Sequence, residues 1–241
     1  FVVVSLIFPA IFSSAAILFL LVLVICFLGG YPKRYLSLIV FLGIFTLSIF
    51  VLAVKAYPDL MPNRVDTWTS RVDNFINSEN TESNYQIEKA KIAIATGGIK
   101  GLGPGKSIQK NFLPQSSSDF IYAIIIEEFG LIGGLFLVIL YLWFLFRIVI
   151  ISNKSESVFG SLLAVSMGLP IVFQAFINMS VAVELMPVTG QTLPLISSGG
   201  TSIWVTCLAL GIVLSVSAKR DEDKNKDMDD QHPLEILSEA L

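Results

Sequence analysis

The chain has 241 residues, of which 54% are hydrophobic and only 15% charged, with a mean hydropathy of +0.75. Soluble domains average roughly 25% charged residues, so the composition excludes an ordinary soluble globular domain. The net charge of −3 is unevenly placed: Lys219 to Leu241 holds four basic and eight acidic residues, which leaves the rest at +1 and excludes a basic nucleic-acid footprint. His232, the single histidine, lies in that acidic tail. Ser-His-Asp or Cys-His catalysis and a His-rich metal site are therefore excluded within this chain. Cys26 and Cys207 fall in apolar runs, where a thiol acts as a small hydrophobe.

The chain opens on Phe1 in an apolar stretch without the basic n-region of a signal peptide, so upstream sequence is expected to be missing. About 20 mostly apolar residues cross a hydrocarbon core about 30 Å thick. Five runs meet or approach that length: 2–28, 35–56, 120–151, 158–183 with a kink expected at Pro170, and 201–218. The expected fold is an all-α polytopic membrane bundle over residues 1–218, followed by a disordered acidic tail at 219–241. Lys33, Arg34, Arg147, Lys154, Lys219 and Arg220 collect at one set of ends, and the Met186–Gly200 turn carries no basic residue. The positive-inside rule then puts the C-terminus in the cytoplasm, and Met186–Gly200 and the long 57–118 loop outside.

In that loop, Tyr85 to Thr96 has helical composition ended by Gly97-Gly98. The glycine-rich run through Gly105 permits tight turns and close backbone approach to a ligand. Gly105-Lys106-Ser107 mimics the end of a P-loop but has Lys100 where the first glycine belongs, and it follows no buried strand. Asp119 stands where the loop enters the third span, either as a helix cap or as a functional carboxylate at membrane depth. Glu127 and Glu128 follow about two helical turns on, in a spacing that can share a face with Asp119. Glu184 ends the fourth span. The Gly/Pro-broken stretch 186–202 reads as a re-entrant segment lining a cavity, while Gln174, Asn178 and Ser180 read as helix–helix glue.

Three blocks then carry a resemblance. They are Tyr85-Gln86 with Ala93 to Gly98 and Gly101-Leu102-Gly103; Leu113-Pro114 with Asp119 to Ala123 and Glu127 to Gly130; and Asn178 with Pro187 to Gln191, Pro194, Ile196-Ser197, Gly199-Gly200 and Ser202. In this order they resemble the SEDS family of bacterial membrane proteins (shape, elongation, division and sporulation), its cell-division branch more than its elongation branch. Gln115 to Ser118 departs from the family's usual Glu-Ala-His-Thr, and Pro9-Ala10 from its Pro-Asp.

The resemblance implies about ten spans, of which these five are the C-terminal half, in the bacterial inner membrane. It implies a peptidoglycan glycosyltransferase that polymerises lipid II on the extracytoplasmic face, with Asp119 at the position of the essential aspartate, acting as general base. The anionic leaving group calls for a cation, supplied by Arg64, Lys106 or Lys110, or by a divalent ion such as Mg or Mn. Glu127 and Glu128 orient the loop or help hold that ion, and Gln109, Thr189, Gln191 and Ser197 complete the substrate contacts. A class B penicillin-binding protein and other division proteins are the implied partners. A lipid II flippase and a non-enzymatic division scaffold are the alternative readings.

Overall fold

The computed structural model describes residues 12–56, 82–113, 116–155 and 157–218, and every regular element among them is helical. Among the described residues six α-helices occur: α1 (Phe12–Leu28), α2 (Lys33–Ala56), α3 (Glu82–Gly97), α4 (Ile121–Asn153), α5 (Val158–Ala182) and α6 (Gly200–Ala218). A short 3-10 turn spans Gln109–Asn111. Helices α4, α5 and α6 are each long and apolar enough to cross a membrane. The chain is a multi-pass membrane protein. Residues 2–11 of the first expected span, residues 57–81 of the loop and the acidic tail lie outside the described residues.

Helix α5 is the hub. One stripe of it, Val165, Leu169 and Val172, packs with Leu21 of α1 and Ile148 of α4. Ala164 meets Ile151 of α4 and Val213 of α6. Small residues bring the axes close: a Cβ at Gly168 would press into the Ile148 side chain. Ser157 caps α5, accepting a hydrogen bond from the Gly160 amide at 3.0 Å. Helix α2 lies against α1, where Gly43 faces the Phe19 ring. The far end of α5 closes in a Schellman arrangement, with Leu185 N–H donating to the Ser180 carbonyl and Glu184 N–H to that of Val181. Glu184 takes the left-handed position usually given to glycine, at φ 60°.

The largest cluster of buried apolar side chains sits at the loop end of the bundle. It joins Ala90 and Ala93 of α3, Leu113, Phe120, Tyr122 and Ile126 at the start of α4, Met179 of α5, and Leu193. The loop helix α3 is thus packed onto the bundle rather than hanging from it.

One expectation about the long helices changes. Pro170 lies inside α5, which tolerates it and runs through it. A break occurs in α4, expected to be one continuous span, at Gly130, whose φ of 72° and ψ of −174° are reached essentially only by glycine. Nine residues, Ile121 to Phe129, form a separate outer piece. Glu127 and Glu128 therefore end a short helix instead of lying two turns down a continuous span. Asp119 precedes that helix in a turn, so helical spacing does not put the three carboxylates on one face.

Candidate functional site

A broken helix frees backbone donors and acceptors that must find partners, most of all at membrane depth. Here the glycine-rich run supplies them. Leu102 N–H donates to the Glu127 carbonyl at 2.9 Å and Gly103 N–H to the Glu128 carbonyl at 2.9 Å. In return, Leu131 N–H donates to the Gly98 carbonyl at 2.8 Å and Ile132 N–H to the Ile99 carbonyl at 3.5 Å. The two backbones lie so close that a Cβ at Gly101 would collide with the Glu128 carbonyl, and one at Gly130 with the Ile99 carbonyl. Gly97 is likewise pressed on Ile126. The glycines were expected to allow close approach to a ligand; the partner they approach is the outer piece of α4. That is the correction to the glycine-rich run.

The same outer piece anchors the next turn of the loop. The Glu127 side chain is fully buried. Its carboxylate accepts from the Ser107 hydroxyl, from the Ile108 amide at 3.1 Å and from the Gln109 amide at 3.3 Å. Ser107 Oγ in turn accepts from the Lys110 amide at 3.1 Å. Lys106 and Lys110 stand exposed on either side of this anchored turn. Ser116 donates to the Lys110 carbonyl at 3.1 Å, tying the turn to the stretch that leads into Asp119.

Asp119 itself is half-buried at a three-way junction. Asn178 of α5 donates from Nδ2 to the Asp119 carbonyl and to the Gln191 carbonyl, both at 2.7 Å. Ser197 donates to the Ser118 carbonyl at 2.6 Å while accepting from the Leu193 amide at 2.7 Å. Ser198 donates to the Ser117 carbonyl from its amide, at 2.9 Å, and from its hydroxyl, at 3.0 Å. On the carboxylate side the neighbour is Gly190, where an added Cβ would stand 3.7 Å from Asp119 Oδ2. The 183–199 segment thus grips the backbone just before Asp119 and offers a glycine to its carboxylate, while Asn178 of α5 holds the Asp119 carbonyl. Tyr141 holds the segment from beneath by donating to the Pro194 carbonyl.

The remaining expected residues divide by their surroundings. Gln191 lies at the junction, with Nε2 donating to Ser14 of α1 at 2.9 Å, and Thr189 lies beside Gly190 in the same segment. Ser197 is buried, and its hydroxyl proton is committed to the Ser118 carbonyl. Gln109 has a buried Oε1. Glu128 is half-buried at the break, and Arg64 lies outside the described residues. Glu184 pairs with Lys91 of α3 at the surface.

Glu127 is not placed to hold the divalent ion expected there. Among the described residues no three His, Cys, Asp or Glu side chains come together, and the Glu127 carboxylate is engaged by protein donors. Lys89 was not singled out from sequence, yet its ammonium lies 5.7 Å from the Phe112 ring centroid and 5.2 Å from that of Tyr85. It joins Lys106 and Lys110 around the anchored turn. Its signal was weak because lysines on an amphipathic loop helix are ordinary.

Comparison with known proteins gives the family. A family model described as "Cell cycle protein", for FtsW, RodA and SpoVE, matches residues 1–222. The chain is 38% identical over 209 residues to "Probable peptidoglycan glycosyltransferase FtsW" of Nitrosococcus halophilus, covering 85% of this chain and 52% of that protein. It is 36% identical over 220 residues to the protein of the same name from Bacillus subtilis, covering 89% and 54%. It is 38% identical over 179 residues to "Stage V sporulation protein E" of Bacillus subtilis, covering 74% and 47%. The chain spans about half the length of the curated relatives it matches, and it belongs to the FtsW/RodA/SpoVE family of cell cycle proteins.

Proposed function

We propose that this chain carries the reacting end of a peptidoglycan glycosyltransferase that polymerises lipid II at the outer face of the bacterial cytoplasmic membrane. Relatives named as probable peptidoglycan glycosyltransferases support the activity. The observation that carries the site is the grip on Asp119, with Asn178, Ser197 and Ser198 fixing its backbone and Gly190 facing its carboxylate. A carboxylate carried on a backbone held this firmly, at a polar junction, is suited to general-base work. The acceptor sugar hydroxyl attacks the anomeric carbon of the donor and a new C–O bond forms. The bond from that carbon to the phosphate oxygen breaks, undecaprenyl diphosphate leaves, and the hydroxyl proton passes to Asp119. A class B penicillin-binding protein and other division proteins are the partners in this reading, and the tail faces the cytoplasm.

The test is lipid II polymerisation by the full-length protein with its partner transpeptidase. Asp119→Asn keeps shape and removes the base, so the expected rate falls by roughly 10²–10⁴-fold at unchanged protein level and partner retention. Wild-type polymerisation by Asp119→Asn would make Asp119 a structural residue and overturn the assignment.

A further inference from the structure

Lys106 and Lys110, two of the cations expected for the dianionic leaving group of the reading above, stand on the Glu127-anchored turn, whose construction is suited to meet it. A buried carboxylate is costly unless hydrogen-bonded, and Glu127 is satisfied entirely by the loop: the Ser107 hydroxyl and two consecutive amides. Those amides are consumed, so the turn offers no backbone anion site of its own. Its charge comes from lysines. Lys106 runs back over Gly103, the residue whose amide is pinned to the broken helix. Lys110 stands exposed at the other end of the turn, and Lys89 reaches over Phe112 from α3. The acidic groups near this turn are Glu127 itself, the half-buried Glu128 at the break, and exposed Glu88 beside Lys89; Glu184 is paired with Lys91. Between the lysines, Ile108 and Phe112 stand 55% and 53% exposed. Cations interleaved with exposed apolar side chains match a ligand that is both anionic and lipidic.

We propose that Lys89, Lys106 and Lys110 form the binding site for the lipid-borne diphosphate, and that Glu127 is the positioning residue that holds their turn in place. The inference rests on the transferase reading for the identity of the ligand. Glu127 acts through the turn and touches no substrate. Its removal therefore changes diphosphate binding only so far as the lysines are displaced.

The experiment measures binding of undecaprenyl diphosphate to the full-length protein in phosphatidylcholine nanodiscs, without turnover. Lys106→Ala/Lys110→Ala is expected to weaken binding by about ten-fold or more, as loss of charge-assisted contacts does. Glu127→Gln is expected to weaken it about as much and to speed hydrogen exchange of the Ile108 and Gln109 amides. Added to the double lysine variant, Glu127→Gln is expected to change binding by less than about two-fold, because both act on one contact. Ser107→Ala removes one hydrogen bond and keeps the carboxylate. It is expected to fall between wild type and Glu127→Gln, and it decides the matter if Glu127→Gln does not fold. Unchanged binding in the double lysine variant overturns the site. Multiplying losses in the triple variant overturn the positioning role. Equal competition by phosphatidylglycerol reduces the patch to a general phospholipid contact and also overturns the site. Because binding is read without catalysis, inactive wild type or active Asp119→Asn would sink the transferase reading and leave this result to stand or fall separately.

Discussion

Helices α4 and α5 each contain a residue that disrupts helices, and only one of them breaks. Pro170 cannot donate to the Ser166 carbonyl, yet α5 continues through it among neighbouring helices. Gly130 lacks no donor, yet α4 breaks there, because a second backbone strand, Gly98 to Gly103, is at hand to take over the freed groups. A helix in this bundle breaks where an alternative backbone partner is supplied, and local propensity does not choose the place. The break then puts Glu127 at the end of a nine-residue piece from which it can hold the loop.

The sharpest way to break this comparison is Gly130→Ala. A Cβ at that φ and ψ is strained and meets the Ile99 carbonyl. The expected loss is on the order of 3 kcal/mol or more, visible as a large fall in melting temperature of the detergent-solubilised protein. Gly105→Ala, at φ 75° with open space around it, serves as the control and should lose only about 1 kcal/mol. A Gly130 variant as stable as wild type would mean that the loop does not dictate the break. The opposite side of the comparison is sharpened by Pro170→Ala, which restores the missing amide donor. Its melting temperature should match or exceed that of wild type, within about 1 kcal/mol; a marked loss would show that α5 depends on its proline. The smallest effect belongs to Lys91→Met. It removes the pair with Glu184 that ties α3 to the end of α5, both groups lying well exposed to screening solvent. A change of about 0–1 kcal/mol is expected, fading as salt is raised. A larger loss would give the loop helix a third anchor beside the glycine splice and Glu127.

How far these features can be read from the residues follows from which interactions are local. Apolar runs are local signals, and those at 35–56, 120–151, 158–183 and 201–218 lie on the helices Lys33–Ala56, Ile121–Asn153, Val158–Ala182 and Gly200–Ala218. Helix α3 was expected at Tyr85 to Thr96 and runs Glu82–Gly97. The break at Gly130 was not legible, since Ile121 to Asn153 reads as one long apolar run with glycines of the kind membrane helices tolerate. Its cause lies some thirty residues upstream. For the same reason Gly97, Gly101 and Gly103 advertised close approach without revealing to what. The role expected of Asp119 came from family motifs. The grip of Asn178 and Ser197 on its neighbours needed the fold, because a polar residue on an apolar helix looks the same whether it joins two helices or holds a loop carbonyl. Lys89 was overlooked because nothing local separates it from a solvated face.

The splice also has a direction in time. Gly98 to Gly103 is synthesised before the helix it completes, so the partner segment already exists when Ile121 to Ile132 follows. The outer piece of α4 can then exchange its backbone hydrogen bonds with a segment already made, and the loop cannot be grafted, deleted or replaced as a module. Removing it would strand the carbonyls of Glu127 and Glu128 and the amides of Leu131 and Ile132, at about 1–3 kcal/mol for each group left buried and unpaired. Loop and helix are in this sense one folding unit, written in two places along the chain.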